Sequence, residues 1–575
     1  MVKVSFVKEN IIVEVKEGTL ITNCIKKAKL SIETPCNCIG LCGKCKVKVR
    51  GELFPPKEEE KEFLQGETGV RLACLAKVKG DVEVELFNST RKIKTINRGV
   101  SIEVGVESDI SIAELPAIDK QSPYPFIENN RFNVKSIDIL KQAASFDKNN
   151  IKDIYAVTYK ENILGIFDKR IELLGVAIDI GTTGIFAYLV NLNNGKVLSK
   201  VSALNPQIKF GGDVISRITY AMNKEKGVED LSKCIIEETN NIIGRLADKD
   251  YCRENIYKIT IAANTTMLHL FAGVDPSSIA KSPYRAVFLE RLELPSKDLG
   301  ININKEGIVT LLPSASSYIG ADILAGVIAT DFHKREHSAI FIDIGTNGEI
   351  VALTGEKLVA TSTAAGPALE GMNISNGCRA EEGAIDTFSI DDEFNLSFTT
   401  IGDAPAKGIC GSGLIDLAAS LVSKEIIDET GKFNCDINEK LQHRLHDKKF
   451  YITDTIYISQ KDIRQLQLAK AAIASGILML LKELNTSIEE VKEVVIAGAF
   501  GYHINSESIK TIGLIPKGFK GNTTFVGNSS AEGARLALIN KEIVSRMDLI
   551  KDKIDVIELS MKKEFQDYFV EALGF

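Results

Sequence analysis

The sequence predicts a multidomain α/β protein with an N-terminal β-grasp domain, a small α+β middle domain and a C-terminal pair of similar α/β lobes. Two patterns support this prediction. A cysteine-rich loop stands between alternating strand patterns near the N-terminus, and an apolar hairpin with a Gly-Thr turn occurs twice further along the chain. A length of 575 residues also exceeds what one hydrophobic core can organise, so several domains are expected.

The composition narrows the class of protein. Hydrophobic residues make up 44% and charged residues 26% of the chain, as in ordinary globular proteins. A net charge of −7 disfavours nucleic acid as the main partner, because phosphate backbones are bound by basic surfaces. No apolar run approaches the ~18 residues of a membrane span, and the first residues alternate like a strand instead of forming a signal peptide. We therefore expect a cytoplasmic protein without membrane contact.

The first 94 residues have the pattern of a small β-grasp sheet. MVKVSFVKENIIVEV predicts two strands joined near residues 8–10, and KCKVKVRGEL and RLACLAKVKGDVEVEL predict further strands. Between them, residues 19–30 carry apolar side chains at the i, i+3, i+4 and i+7 positions of a helix with one buried face. Cys24 lies on that face, so we expect it to be part of the core.

The cysteine-rich loop predicts a metal centre. TPCNCIGLCGKC places four cysteines within ten residues, and Cys74 follows singly before the last hairpin of the domain. Zinc sites usually combine two short Cys-x2-4-Cys pairs, whereas the spacing here approximates the Cys-x4-5-Cys-x2-Cys…Cys pattern of [2Fe–2S] proteins. In a reducing compartment, clustered cysteines are metal ligands, and disulfides are not expected. The predicted cluster ligands are Cys36, Cys42, Cys45 and Cys74. Spacing alone leaves open whether Cys38 is a bystander or can replace one of them.

This domain resembles adrenodoxin and the plant-type ferredoxins over residues 1–94. Over residues 95–125 the pattern weakens to mixed charges, Pro, Asn and Ser, which predicts a linker. Residues 126–172 then contain a short helical pattern and a hairpin, IYAVTYKENILGIFD. We expect these residues to form a small middle domain without a catalytic role.

Two hairpins repeat one design. VAIDIGTTGIFAYLV (176–190) and IFIDIGTNGEIVALT (340–354) each place an Asp near the end of an apolar strand, followed by a Gly-Thr turn and a second apolar strand. The glycine lets backbone amides approach a phosphate, the Thr and Asn side chains add donors, and the Asp can hold Mg²⁺ through water. No P-loop motif is present in the sequence. The repeat predicts two phosphate sites on facing halves of the chain. Their residues are Asp179, Gly181, Thr182 and Thr183 in the first, and Asp343, Gly345, Thr346 and Asn347 in the second.

The repeated hairpins resemble those of the superfamily that contains acetate and sugar kinases, heat-shock chaperone ATPases and actin. The resemblance implies a two-lobed RNase H-like ATPase over residues 173–575, with lobes at about 173–335 and 336–575, that clamps ATP between the hairpins. VVIAGAFGYHIN resembles the adenosine motif, in which Gly498 and Gly501 would contact the nucleoside. Two carboxylates are alternative candidates for positioning the attacking water, Asp213 and Glu349.

Further stretches make the resemblance more specific. They are NPQIKFGGDVISRI, AANTTMLHLFAGVDP, AAGPALEGMNISNGCRAEEGAI, GICGSGLIDLAASL and VGNSSAEGARLAL. Together with the ferredoxin-like domain, they make the chain similar over its whole length to the reductive activators of corrinoid proteins. That resemblance implies one-electron reduction of an inactive Co(II) corrinoid protein to Co(I), coupled to ATP hydrolysis. The implied cofactors are a [2Fe–2S] cluster, ATP and Mg²⁺.

The resemblance also implies partners: a corrinoid protein of a methyltransferase system, an unidentified upstream electron donor and a second copy of the chain in a homodimer. Two alternatives stay open at this point. The chain could be an ATP-gated electron donor to a different metalloenzyme, although activators of 2-hydroxyacyl-CoA dehydratases hold a [4Fe–4S] cluster between subunits and carry no ferredoxin domain. A nucleotide-switched redox sensor or chaperone-like binder could also use this fold.

Overall fold

The structure is a computed structural model of the chain. It describes residues 2–9, 11–28, 30, 32, 45–56, 60, 63–64, 69–86, 102–123, 132–149, 151–248, 250–498 and 504–575. These residues form a five-stranded sheet, a four-stranded sheet, two six-stranded sheets and two small three-stranded sheets. No helix among them is long and apolar enough to cross a membrane.

The N-terminal domain is a five-stranded sheet covered by one helix. Its elements are β1 (Val2–Phe6), β2 (Ile11–Val15), α1 (Ile21–Lys27), β3 (Lys46–Leu53), β4 (Val70–Leu72) and β5 (Val78–Leu86). The strand order is β2–β1–β5–β3–β4, with β1 parallel to β5 and the other pairs antiparallel. Cys24 is fully buried in the core of this sheet, as predicted. Helix α1 begins later than expected because Thr19 closes a turn, its hydroxyl donating to the Lys16 carbonyl at 2.6 Å.

A four-stranded sheet with one helix follows the N-terminal domain. Its elements are β6 (Ile110–Leu115), β7 (Asn133–Val134), α2 (Ile137–Lys148), β8 (Ile154–Tyr159) and β9 (Asn162–Phe167), and the strand order is β6–β8–β9–β7. Strand β6 lies inside the segment that the sequence predicted as a linker. It pairs with β8 along its whole length, and Ile110 and Leu115 are buried at its two ends. Backbone pairing therefore orders a segment whose own hydrophobic pattern is weak.

The first lobe is built on a six-stranded sheet. Its elements are β10 (Leu174–Ile180), β11 (Gly184–Asn191), β12 (Val197–Leu204), α3 (Val214–Asn223), α4 (Gly227–Ala247), β13 (Ile256–Ala263), α5 (Thr265–Phe271), β14 (Leu292–Pro295), β15 (Ile308–Leu311) and α6 (Ala321–Ala329). The strand order is β12–β11–β10–β13–β15–β14. The hairpin strands β10 and β11 are antiparallel, whereas β10, β13 and β15 run parallel.

The second lobe repeats this sheet. Its elements are β16 (Ala339–Ile344), β17 (Gly348–Thr354), β18 (Lys357–Thr363), β19 (Ala384–Ile390), β20 (Leu396–Thr400), β21 (Gly408–Ile409), α7 (Gly411–Ser423), α8 (Glu439–Gln442), β22 (Leu445–His446), β23 (Lys449–Tyr451), β24 (Tyr457–Ser459), α9 (Gln460–Glu483), β25 (Glu493–Ala497), α10 (Ser506–Thr511), β26 (Asn522–Gly527), α11 (Ser529–Ile539), α12 (Lys541–Lys553), β27 (Ile554–Val556) and α13 (Glu564–Glu571). The order β26–β25–β16–β17–β18–β27 again has an antiparallel three-strand meander beside two parallel strands. The predicted fold class of two RNase H-like lobes behind a β-grasp domain is confirmed.

Helices α6 and α11, one from each lobe, pack together and join the two lobes. A single hydrophobic core contains side chains of both helices and of both large sheets. The helices cross so closely that a Cβ on Gly533 would lie 2.2 Å from the carbonyl oxygen of Ala325. The lobes therefore share part of their core.

Candidate functional site

The two repeated hairpins face one cleft. A cavity of about 220 Å³ lies between the turn that follows β10 and the turn that follows β16. The predicted residues that line it are Asp179, Gly181, Thr182, Thr183, Asp343, Gly345, Thr346, Asn347, Glu349 and Gly498. Gly501 lies outside the described residues. Larger cavities of about 720 and 470 Å³ occur in the second lobe, but neither contains a hairpin residue.

Asp179 is oriented by residues from a distant part of the sequence. Asn528 Nδ2 donates to one carboxylate oxygen at 2.9 Å, and Ser530 Oγ donates to the other at 2.8 Å. Asn528 also caps α11, because its side-chain oxygen accepts the backbone N–H of Ala531 at 2.8 Å. Burial raises the pKa of Asp179, and the two donors oppose that rise. Sequence reasoning assigned no role to Asn528 or Ser530, although both lie in the quoted stretch VGNSSAEGARLAL.

Five acidic side chains line the cavity: Asp179, Asp322, Asp343, Glu349 and Glu370. Burial raises the pKa of Asp322 to about 8, and repulsion by Asp343 and Asp179 adds to the rise. Burial, with repulsion by Asp179 and Glu370, raises the pKa of Asp343 to about 7. The pKa of Glu349 lies well above its usual value for the same reasons. Such a cleft is suited to a hydrated divalent cation, whose charge would offset the repulsion.

The carboxylates do not form a direct metal cage. Within the described part of the chain, no three Cys, His, Asp or Glu side chains converge closely enough to coordinate an ion. Mg²⁺ usually keeps several of its waters and contacts proteins through one or two carboxylates. Asp179 and Asp343, near the ends of equivalent strands, could hold it in that way.

A buried cation lies directly behind the first hairpin. Arg217, on α3, has no solvent exposure. Its guanidinium donates to the carbonyl oxygen of Thr182, to that of Gly211 at 3.0 Å and to Gln207 Oε1 at 3.1 Å. Burial lowers the pKa of Arg217 to about 9, and the negative charge of Asp213 opposes this. All three oxygen partners are neutral, so the guanidinium places a positive charge next to the hairpin turn.

The two carboxylates considered for positioning water occupy different places. Asp213 caps α3, accepting the backbone N–H of Ser216 at 2.7 Å in a capping box. It does not line the cavity. Glu349 lines the cavity and accepts the hydroxyl of Ser362 at 3.3 Å. The geometry favours Glu349 over Asp213, and the catalytic role of each stays a prediction.

Glu370 connects the two hairpins. It ends the short 3-10 turn Pro367–Glu370, and its carboxylate accepts the hydroxyl of Thr183 at 3.3 Å and the hydroxyl of Thr346 at 3.0 Å. Burial raises the pKa of Glu370, while the hydroxyl donors and the charge of Arg379 lower it. Sequence reasoning found the stretch AAGPALEGMNISNGCRAEEGAI without a role for this residue.

Two of the four predicted cluster ligands lie in the described residues. Cys45 precedes β3 and Cys74 follows β4; both are buried, and their sulfur atoms are 3.2 Å apart. The contact with Cys74 lowers the pKa of Cys45 to about 7, against the effect of burial. An acidic thiol is a ready metal ligand, and two sulfurs this close could bind the same iron ion. Cys36, Cys38 and Cys42 lie outside the described residues.

A buried ion pair supports the strand before Cys74. Arg71 in β4 donates to both carboxylate oxygens of Glu60, at 2.7 and 2.9 Å, and Glu60 also accepts the backbone N–H of Leu72 at 2.8 Å. The next backbone N–H, of Ala73, donates to the carbonyl of Cys45 at 2.8 Å. These bonds tie the turn that carries Cys74 to the residue that precedes β3.

Known protein families match successive parts of this architecture. Residues 6–79 match the 2Fe-2S iron-sulfur cluster binding domain, residues 174–335 match the RACo middle region, and residues 337–575 match the C-terminal domain of RACo, the ASKHA domain. A solved structure described as a reductive activator for corrinoid, iron-sulfur protein is 31% identical, with a TM-score of 0.75 and coverage of 100% of this chain and 98% of that one. The chain belongs to the family of reductive activators of corrinoid proteins. The predicted family is thereby confirmed.

Two curated proteins are similar to this family member. The corrinoid activation enzyme RamQ of Eubacterium limosum is 28% identical over 587 residues, covering 97% of this chain and 96% of that protein. The [Co(II) methylated amine-specific corrinoid protein] reductase of Methanosarcina barkeri is 26% identical over 421 residues, covering 68% of this chain and 73% of that protein. The N-terminal match supports a [2Fe–2S] cluster, and the ASKHA match supports nucleotide binding.

Proposed function

We propose that this family member is an ATP-dependent reductive activator that transfers one electron to an inactive Co(II) corrinoid protein and so restores the Co(I) state needed for methyl transfer. The observation that carries the proposal is the match to a reductive activator at 31% identity over 100% of the chain. When bound, the [2Fe–2S] cluster supplies the electron, and its one-electron oxidation balances the reduction of Co(II). The protein supplies four thiolates for it, from Cys36, Cys42, Cys45 and Cys74.

The energetic problem explains why an electron carrier would be joined to an ATPase. Plant-type [2Fe–2S] centres have potentials of about −400 mV, and Co(I) is a stronger reductant than that. A one-electron gap costs about 2.3 kcal/mol per 100 mV. ATP binding and closure of the lobes can offset several kcal/mol if they favour one complex with the corrinoid protein over another. In this proposal ATP acts through conformation.

Different residues of the cleft would bind different parts of the nucleotide. The turns at Gly181 and Gly345 would present backbone amides and the Thr and Asn side chains to the phosphates. Asp179 and Asp343 would hold hydrated Mg²⁺, and Glu349 would position the attacking water. Gly498 and Gly501 would lie against the nucleoside. Single-turnover hydrolysis of ATP tests the choice of carboxylate: Glu349→Gln should abolish it, whereas Asp213→Asn should retain it if Asp213 only caps α3.

The central experiment is anaerobic absorption spectroscopy of a Co(II) corrinoid protein mixed with the pre-reduced activator. Co(I) should appear with Mg²⁺ and ATP and should not appear without ATP. Cys45→Ser should remove the electron source, with Cys24→Ala as the matched cysteine control. Absence of Co(I) with every corrinoid protein, despite a reducible cluster and bound ATP, would contradict the proposal and favour another acceptor or a nucleotide-switched sensor.

The remaining partners are also proposals. An upstream donor must return an electron to the protein after each transfer. A homodimer is proposed from the resemblance alone; sedimentation equilibrium of the full chain at micromolar concentration should give twice the monomer mass of 62.9 kDa.

A further inference from the structure

We infer that Glu370 is an interlock: in the nucleotide-free protein its carboxylate occupies the hydroxyl donors of both hairpins, and bound nucleotide phosphate displaces it. Displacement would then shift the segment 364–383, which connects β18 to β19. This inference rests on the proposed nucleotide site. It adds a route by which nucleotide binding would change the conformation of the rest of the second lobe.

Glu370 accepts hydrogen bonds from the turns of both hairpins. Thr183 belongs to the first hairpin turn and Thr346 to the second, and both hydroxyls donate to Glu370, at 3.3 and 3.0 Å. A carboxylate and a phosphate each present anionic oxygens to such donors. A Cβ on Gly345 would lie only 3.5 Å from Glu370 Oε1, so the carboxylate packs against the turn itself. Glu370 thus occupies hydrogen-bonding positions at which a phosphate would be held.

Electrostatic repulsion opposes simultaneous binding of the Glu370 carboxylate and a phosphate to these donors. Phosphate entering the cavity would add negative charge beside Glu370, which already binds the two hydroxyl donors. Two anions cannot share the same two donors at low cost, so one must leave. Arg379, on the same segment, also lines the cavity. Its cationic side chain would favour the incoming phosphate while Glu370 withdraws.

A movement of Glu370 would affect the segment that follows it. Gly371 follows it with φ 72°, and a Cβ there would lie 2.1 Å from the carbonyl oxygen of Cys378. The backbone N–H of Cys378 donates to the Ile409 carbonyl at 2.9 Å, just before α7. The backbone N–H of Ser375 donates to the side chain of Asp462, in the first turn of α9, at 2.8 Å. The segment therefore connects the phosphate donors to the starts of helices α7 and α9.

The test measures nucleotide affinity in the full-length, cluster-loaded protein with the non-hydrolysable analogue AMPPNP and Mg²⁺. Glu370→Gln removes the charge while keeping the size, so the phosphate no longer displaces an anion. We expect the Kd to fall by about tenfold, the factor that corresponds to loss of one charge-assisted hydrogen bond. Glu382→Gln is the matched control, because it removes one charge from an exposed position of the same segment, and its Kd should equal that of the wild type.

Hydrogen–deuterium exchange distinguishes an interlock from a simple change in affinity. AMPPNP should increase exchange in residues 371–378 of the wild type, whereas Glu370→Gln should show the increased exchange before nucleotide is added. If Glu370→Gln does not fold, Glu370→Asp, which is one methylene shorter and cannot reach both hydroxyls, should lower the Kd by about threefold. A Kd that is unchanged or higher in a folded Glu370 variant would overturn the inference. Failure of the wild type to bind AMPPNP at all would instead overturn the proposed nucleotide site.

Discussion

The crowded carboxylates of the cleft predict that the nucleotide-free protein loses stability between pH 6 and pH 8. Asp322 and Asp343 have pKa values of about 8 and about 7 in the folded protein, whereas an unfolded Asp titrates near about 3.9. Between these values the folded state binds more protons than the unfolded state. The free energy of unfolding therefore falls as the pH rises, and the loss is nearly complete above the higher folded pKa.

The size of the effect follows from the same pKa values. Between pH 6 and pH 8, linkage gives a loss of about 1.4 kcal/mol for Asp343 and about 2.3 kcal/mol for Asp322. Water that enters the cleft screens the charges, so about 3 to 4 kcal/mol is an upper limit for these two residues together. For two lobes of about 400 residues, this corresponds to a fall in Tm of roughly 4 °C.

Differential scanning calorimetry of the full chain, with a chelator and without nucleotide, measures this directly. Asp322→Asn should remove more than half of the fall in Tm between pH 6 and pH 8, because it removes the larger contribution and relieves repulsion on Glu349. Asp298→Asn, at an exposed position, is the matched control and should leave the fall unchanged. A wild-type Tm that is equal or higher at pH 8, or an equal effect of both variants, would refute the reasoning.

Four further predictions concern single side chains. Cys45→Ser should lose the visible absorbance of the cluster after anaerobic reconstitution, whereas Cys24→Ala, which changes a core position, should retain it. Arg217→Met leaves three buried oxygen acceptors without their donor and should lower the free energy of unfolding by about 3–5 kcal/mol in chemical denaturation. Asp179→Asn should abolish ATP hydrolysis with the cluster spectrum intact. Burial lowers the pKa of His269, so its stabilising contribution is present above the unfolded pKa of about 6.5 and is lost as the pH falls. Between pH 6.5 and pH 5, the Tm of His269→Asn should therefore fall by less than the Tm of the wild type.

Features that depend on nearby residues were predictable from the sequence. Each phosphate hairpin consists of two apolar strands around a glycine turn, and β10 and β11 pair with Asp179 opposite Phe186, so the whole motif lies within a few residues. The strands of the N-terminal sheet were predictable from their own alternating patterns, although β1 pairs with the distant strand β5. Strand β6 was not predictable in this way, because its order comes from pairing with β8, a strand about 40 residues later in the chain.

The rest of the cleft depends on contacts between remote segments. Glu370 is 187 positions from Thr183, and Asn528 is 349 positions from Asp179. No periodicity or spacing relates such pairs before the chain has folded. Asp213 shows the opposite difficulty: a polar residue before a helix fits both a helix cap and a catalytic carboxylate, and only the side-chain geometry favours the cap.

The position of α11 has a consequence for how the protein is made. Helix α11 packs on β10, where a Cβ on Gly175 would lie 2.9 Å from Leu538. This helix and the two side chains that bind Asp179 are translated about 350 residues after β10. At synthesis rates of about 5–20 residues per second, roughly 20 to 70 s pass between the synthesis of β10 and the synthesis of the helix that packs on it. The N-terminal sheet, whose five strands are all translated by residue 86, can fold during that interval. A nascent chain would therefore acquire its iron–sulfur domain well before it acquires the complete cleft between the two hairpins.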